Sequence, residues 1–187
     1  MKPELRPYFI LALLIALADQ ISKILIRQYL LPGDSVEVLG DLVRFTFVYN
    51  QGGAFGIKLG NIIFYSVMSF AAAVIIIVYM IKTKNTNKIV TAILALVVGG
   101  AIGNFIDRIA YGQVVDFIDI NIPDIRIPSF SFFGGFELYR WYILNIADMA
   151  LTVGLIGFIA YLLIKGDRLE SRSDIPANDI PPTSPPI

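Results

Sequence analysis

Two aspartates, Asp116 and Asp148, are the residues of this chain whose types and positions best suit catalysis. Asp148 lies within an apolar stretch and has no basic residue one helical turn away, so an ion pair on its own helix does not explain it. Asp116 lies in the short apolar segment 114–117, just after another apolar stretch. Two carboxylates that meet cannot both ionise cheaply. Such a pair would hold one proton and could serve as general acid and general base.

Composition excludes several other chemistries. None of the 187 residues is Cys or His, which rules out a thiolate nucleophile, a Ser-His-Asp triad and any metal site built on those ligands. Acid–base chemistry by two carboxylates needs neither a metal nor an organic cofactor, so we expect none. The 15 Lys and Arg balance the 15 Asp and Glu, so no excess of positive charge points to a nucleic-acid partner.

Four apolar stretches are long enough to hold these aspartates within a bilayer. The chain is 56% hydrophobic and only 16% charged, and a helix needs about 20 apolar residues to span the hydrocarbon core. Residues 8–31, 62–81, 89–110 and 141–164 meet this length. The first stretch lacks a cleavage site of the A-x-A type, so we expect it to be a retained helix. The fold class predicted is an all-α membrane protein with four transmembrane helices.

Basic residues in the flanks predict how these helices are oriented. Lys and Arg concentrate on the cytoplasmic side of membrane proteins. One side of the predicted bundle carries Lys2, Arg6, Lys82, Lys84, Lys88, Lys165, Arg168 and Arg172, and the other carries Arg44, Lys58, Arg126 and Arg140. Both termini are therefore expected in the cytoplasm, with the long loops 32–60 and 113–140 outside.

The predicted membrane-embedded domain covers residues 1–166. Residues 36–39 and 42–48 are rich in β-branched and aromatic side chains, which predicts a small extracytoplasmic β-rich segment in the loop 32–60. The loop 113–140 is dense in aromatic residues and carries Gly134-Gly135, which suits either a lid over the site or a passive interfacial anchor. Residues 167–187 are rich in proline and are predicted to be a disordered cytoplasmic tail.

Polar residues within the apolar stretches are spaced to share helix faces. Asp19 and Lys23 are four residues apart, as are Asn104 and Arg108, and Asn145 precedes Asp148 by three. Asp19–Lys23 and Asp107–Arg108 are predicted to be structural ion pairs, because pairing is how membranes tolerate charge. Asp148, seven residues inside the predicted fourth helix, is expected roughly 10 Å below its outer end.

Four sequence blocks carry a close resemblance to a known family. They are DQISK at 19–23, NQGGAF at 50–55, GGAIGNFIDR at 99–108 continuing to VVDF at 114–117, and NIAD at 145–148. Together they resemble the lipoprotein signal peptidases, or signal peptidase II, of bacterial inner membranes. The resemblance extends from about residue 7 to residue 164.

The resemblance implies an intramembrane aspartyl endopeptidase that removes the signal peptides of diacylglyceryl-modified prolipoproteins by cutting before the lipidated cysteine. It implies that Asp116 and Asp148 form the catalytic dyad. Residues implied to bind substrate, or the antibiotic globomycin, are Asn50, Asn104, Arg108 and Asn145, and those implied to support the site are Asp19, Lys23 and Asp107. The expected partners are prolipoprotein substrates and membrane lipids, with no nucleic acid, and the chain is expected to act as a monomer.

The sequence departs from the family pattern at two places. Tyr142 and Leu144 stand where the family often has Pro and Phe, and the segment between Asp116 and Asn145 is longer, through an insertion within residues 119–140. Both departures affect how substrate fits at the outer loop.

Two other classes of protein also place carboxylates in membrane helices. A small ion- or proton-coupled transporter would show inverted repeats and broken helices near the midplane, and the sequence has neither signal. A non-enzymatic membrane assembly subunit could use the ion pairs for packing, but it would leave Asp148 unexplained.

Overall fold

The computed structural model describes residues 3–52, 61–83, 87–121, 125–127, 136–138 and 142–173. These residues form four α-helices, five β-strands and one 3-10 turn, Pro3–Leu5. The helices are α1 (Arg6–Tyr29), α2 (Ile62–Lys82), α3 (Lys88–Tyr111) and α4 (Ile146–Ser173). The strands are β1 (Ser35–Leu39), β2 (Val43–Asn50), β3 (Val114–Ile120), β4 (Ile125–Ile127) and β5 (Phe136–Leu138).

The helices are long and apolar enough to cross a membrane, as the sequence predicts. Large apolar side chains such as Ile63, Ile75 and Leu163 are exposed along them, which is the surface expected of helices that face lipid. Helix α3 is the most buried of the four, and it packs against α1, α2 and α4. The protein is therefore a multi-pass membrane protein built around a central helix.

Two glycines allow α3 to lie unusually close to its neighbours. A Cβ at Gly99 would stand 2.7 Å from the carbonyl oxygen of Ala12 in α1, and one at Gly100 would stand 2.5 Å from that of Ala147 in α4. Real side chains do not fit at these distances. Small residues at helix contacts let backbones approach, and this increases van der Waals packing where no hydrophobic effect joins helices in lipid.

A three-stranded antiparallel sheet covers one end of the bundle, called here the sheet end. The β-rich segment predicted for the loop 32–60 is a hairpin of strands β1 and β2, and its turn contains Gly40 at a φ of 51°. Strand β3, from the second long loop, pairs with β2 and completes the order β1-β2-β3. Phe47, Val115 and Phe117 pack beneath the sheet on Ile26 of α1.

The sequence did not predict β3 or the second sheet, in which β4 pairs with β5. In the sequence, residues 114–117 are recognisable only as a short apolar stretch, because their partner strand β2 is more than sixty residues away in the chain. Alternating burial is also absent from β3, since residues 114–117 are all buried. A strand covered on both faces does not show the period-two pattern that identifies strands in sequence.

The fourth helix differs from its predicted bounds at both ends. It begins at Ile146 rather than at residue 141, because Leu144 exchanges backbone hydrogen bonds with Ile118 of β3 and is held in an extended conformation. Asp148 therefore lies in the first helical turn, and the predicted depth of 10 Å within the helix was wrong.

At its other end α4 continues to Ser173, past the predicted boundary at 166. A single glycine at 166 is tolerated in a helix, and the first proline comes only at 176. The rest of the predicted tail, the Gly134-Gly135 hinge and most of the aromatic residues of the loop 113–140 lie outside the described residues.

We predict that Gly100→Ala lowers thermal stability in detergent by the equivalent of about 1–3 kcal/mol, because the added methyl group forces α4 away from α3. Gly157→Ala is the matched control, since its Cβ would meet only Ile93 carbons at an ordinary 3.4 Å. The control should match or exceed wild-type stability, because alanine favours helix. Equal melting temperatures for the two variants would contradict close packing at Gly100.

Candidate active site

The polar residues singled out in the sequence converge beneath the sheet end. Asp116 is contributed by β3, and Asn50 of β2 is paired with Val114, two residues before Asp116. The Nδ2 group of Asn50 donates a hydrogen bond of 2.9 Å to Oδ2 of Asp116. The oxygen of the Asn50 amide accepts a bond of 2.8 Å from the backbone N–H of Gly52, which fixes the orientation of the side chain.

Asn145 links the two aspartates. It is the N-cap of α4, and its Oδ1 accepts the backbone N–H of Asp148 at 2.8 Å, as cap side chains do at the third helical position. Its Nδ2 donates to Oδ1 of Asp116 at 2.6 Å and is 3.1 Å from Oδ1 of Asn104. The buried side-chain amide of Asn145 therefore both caps α4 and binds the carboxylate of Asp116.

Asp148 occupies the first turn of α4, where the helix dipole favours a negative charge. Its Oδ1 accepts a hydrogen bond of 2.7 Å from Nδ2 of Asn104 on α3. Both aspartates are almost fully buried. Asp116 and Asp148 therefore lie in one network, joined through Asn104 and Asn145.

The pKa of Asp116 is strongly raised by this environment. Burial and then the negative charge of Asp148 raise the pKa of the Asp116 carboxyl from 3.8 to about 7, against the hydrogen bonds from Asn50 and Asn145 and the charge of Lys23. A carboxyl with a pKa near 7 can both hold and release a proton at neutral pH, which suits general acid and base chemistry.

A buried ion cluster lies beside the aspartate network. Lys23 of α1 approaches Asp19 at 2.8 Å and Asp107 at 3.1 Å, and it donates a third bond of 3.0 Å to Oδ1 of Asn104. All three ion-paired side chains are completely inaccessible to solvent. An ammonium group has three protons to donate, so Lys23 is fully satisfied.

The carboxylates of this cluster also hold backbone. Oδ1 of Asp19 accepts the N–H of Ala147 at the start of α4 at 2.9 Å, and Oδ2 of Asp107 accepts the N–H of Val115 in β3 at 3.0 Å. These two residues are chain neighbours of Asp148 and Asp116, respectively. The ion cluster therefore positions the elements that carry both aspartates.

Gln20 also belongs to this cluster, although it was not predicted from the sequence to be a site residue. Its Nε2 lies within hydrogen-bonding distance of Asp19, Asp107 and the carbonyl oxygen of Gly103. A Cβ at Gly103 would stand 2.6 Å from Oδ2 of Asp19, so glycine is needed there for the carboxylate to fit. The sequence feature that points to Gln20 is its position in the block DQISK, between the predicted site residues Asp19 and Lys23.

Asp19 and Lys23 form the ion pair that their spacing predicted, but Asp107 pairs with Lys23 and not with Arg108. Adjacent residues on a helix point about 100° apart, so Asp107 and Arg108 face different neighbours. Arg108 donates a hydrogen bond of 3.2 Å to Ser69 of α2, and its charge interacts with those of Asp148 and Asp116. Its buried Nε has no hydrogen-bond partner within the described part of the chain.

No group of three or more potential metal ligands occurs among the described residues. The carboxylate oxygens of the network instead accept protein amide and ammonium protons.

The fold and this network define an integral membrane protein with a buried acidic site at one end of a four-helix bundle. A family model described as signal peptidase (SPase) II matches residues 11–164. Lipoprotein signal peptidases of Coxiella burnetii and of Francisella tularensis subsp. novicida are 35% and 38% identical to the chain. These matches cover 84% and 86% of this chain and 90% and 92% of the relatives.

Two solved structures, both described as bacterial membrane enzymes, share the fold. One has a TM-score of 0.73 at 31% identity and covers 96% of this chain and 94% of its own. The other has a TM-score of 0.69 at 34% identity and covers 84% and 92%. The chain belongs to the signal peptidase II family. It is a protease of lipoprotein processing, and its substrates are prolipoproteins.

We predict that Lys23→Met destabilises the protein by about 3–5 kcal/mol, because it leaves the Asp19 and Asp107 carboxylates buried without a counter-charge. Arg44→Met is the matched control, since Arg44 also bridges two acids, Glu37 and Asp41, whose side chains are exposed. Exposed ion pairs contribute only about 0–1 kcal/mol. Thermal unfolding in detergent measures both, and a similar small loss for each variant would contradict the role given to the buried cluster.

Proposed function

We propose that the protein is an intramembrane aspartyl endopeptidase of the signal peptidase II type, with Asp116 and Asp148 as its catalytic pair. Its substrate is a prolipoprotein whose cysteine carries a diacylglyceryl group, and the bond cut is the one before that cysteine. The observation that carries the proposal is the double use of Asn145, which holds the Asp116 carboxylate and the backbone N–H of Asp148 at once.

The proposed reaction uses the pair as one acid–base unit. One carboxylate takes a proton from a water molecule as the water attacks the scissile carbonyl, and the other carboxyl gives its proton to the carbonyl oxygen. On collapse of the tetrahedral intermediate the protonated carboxyl gives its proton to the leaving amine of the lipidated cysteine, and the C–N bond breaks. The other carboxylate takes back one hydroxyl proton of the intermediate as the carbonyl re-forms. The pair then again holds a single proton. The apparent pKa values belong to the pair rather than to either residue.

The neighbouring polar residues divide into two proposed roles. Asn50, Asn104 and Asn145 orient the carboxylates through bonds of 2.6–2.9 Å and can exchange part of these for contacts with the peptide backbone of the substrate. The Nε group of Arg108 has no acceptor among the described residues, and the charge of Arg108 interacts with those of both aspartates, so Arg108 suits a substrate carbonyl. Asp19, Lys23 and Asp107 support the site, which needs no metal or organic cofactor.

The proposed location is the bacterial inner membrane, with both termini in the cytoplasm and the site near the outer leaflet. The excess of Lys and Arg flanking the helix ends opposite the sheet supports this orientation. Apolar residues of the hairpin, including Val36, Val38 and Leu42, are exposed at the sheet end, where membrane lipids can cover them. The enzyme is proposed to act as a monomer. Its catalytic domain is proposed to comprise residues 1–166, and the Pro-rich tail lies outside that domain.

We predict that Asp116→Asn and Asp148→Asn each abolish cleavage, because asparagine can supply neither the acid nor the base. The double variant should be no worse than either single one, since the pair acts as a unit. The measurement is loss of the signal peptide from a purified diacylglyceryl-modified prolipoprotein. Its control is the same prolipoprotein with the cysteine unmodified, which should not be cut. Strong residual activity in either single variant would refute the dyad.

A second prediction concerns pH. The raised pKa of Asp116 means that the pair keeps its proton below pH 7 and loses it above, so the general acid disappears as pH rises. We expect kcat/KM to fall on the alkaline side with an apparent pKa of about 7, approaching a tenfold loss per pH unit. Rates measured from pH 5 to pH 10 in one detergent check this, and a plateau extending to pH 9 would disprove it.

A further inference from the structure

An apolar groove runs along the bundle between α2 and α4, with α3 as its floor. It has a volume of about 380 Å³ and is lined by apolar residues that include Ile76, Val97, Leu151, Leu155 and Phe158. No ion pair or side-chain hydrogen bond described in the structure falls on these five residues. The groove is thus a purely apolar surface inside the membrane-spanning part of the protein.

The groove continues the candidate active site along the same helix faces. On α4, Leu151, Leu155 and Phe158 follow Asp148 at three, seven and ten residues, which keeps them on one face. From Asp148 to Phe158 this face extends about 15 Å along the helix axis.

The other two walls show the same continuity. On α3, Val97 lies seven residues before Asn104, and on α2, Ile76 lies seven residues after Ser69, the partner of Arg108. A segment leaving the aspartates toward the opposite end of the bundle would therefore enter the groove without a turn.

We propose that this groove binds the apolar segment of the substrate signal peptide and so selects substrates by the shape of that segment. The inference rests on the proposed function, which places the end of the signal peptide at the aspartates. Apolar segments of signal peptides are about 7–15 residues long, and ten helical residues match the length of the groove. An apolar helix that packs between α2 and α4 exchanges lipid contacts for protein contacts, so shape decides its affinity.

Two neighbouring residues of α4 provide a matched test. Leu155 lines the groove, whereas Ile156 does not, and their side chains are 59% and 62% exposed. Leu155→Trp should fill part of the groove and raise KM about tenfold for a prolipoprotein with its complete signal peptide, with kcat little changed. Ile156→Trp should leave both constants at wild-type values. For a short lipopeptide that lacks the apolar segment, Leu155→Trp should also behave as wild type.

A second measurement does not require turnover. A photo-crosslinking p-benzoylphenylalanine residue is placed at position 155 or at position 156 in the Asp148→Asn protein, which is then illuminated with full-length lipid-modified prolipoprotein. Position 155 should crosslink to the apolar segment and position 156 should not.

The outcomes separate the two proposals. If wild type cuts the prolipoprotein but the two tryptophan variants have equal KM values, or the two positions crosslink equally, membrane lipid fills the groove and the inference is overturned. If wild type cuts no lipid-modified substrate, the proposed function fails, whereas selective crosslinking at position 155 would still support binding in the groove.

Discussion

The burial of Lys23 between Asp19 and Asp107 is the interaction on which the rest of the site depends. Charges without water are tolerated only when every donor and acceptor is satisfied, and this cluster meets that condition with three contacts to the ammonium group. Its carboxylates also accept backbone N–H groups from β3 and α4. All donors and acceptors of the cluster are satisfied only when α1, α3, β3 and the start of α4 occupy their observed positions. The need to compensate these buried charges therefore fixes the arrangement of those elements.

Asp116 and Asp148 come from two kinds of element, a strand and a helix, and the two elements affect the charge of the carboxylate in different ways. Asp148 begins a helix, whose N-terminus stabilises negative charge, whereas Asp116 lies in a strand buried on both faces and has its pKa raised to about 7. Asn145 couples them because a residue that caps α4 must stand next to β3, where Leu144 pairs with Ile118. The aspartate network thus lies where the start of α4, strand β3 and the end of the helix bundle meet.

The packing of the bundle is uneven, and this bears on how a substrate could enter. Glycines bring α3 against α1 and α4, and the buried ions lie on this side. Helix α2 is more exposed to lipid and touches the site through Ser69 and its bond to Arg108. The closely packed side of the bundle therefore holds the carboxylates, whereas the side facing α2 presents an apolar surface.

The four spanning helices could be predicted from the sequence, because a run of about 20 apolar residues is long enough to cross the hydrocarbon core as a helix. The β-rich segment 36–48 could also be predicted, from its β-branched and aromatic residues. The sequence also singled out the acidic and amide residues, since polar groups in apolar helices stand out. Tertiary contacts are needed to show that Asp107 pairs with Lys23 and not with Arg108, and that residues 114–120 form the third strand of the sheet. They also set the start of α4 at Ile146, with Asn145 as its N-cap and Asp148 in the first turn. These features depend on contacts between residues far apart in the chain. Helical periodicity and local composition carry no information about such contacts, because the partner is supplied by the fold.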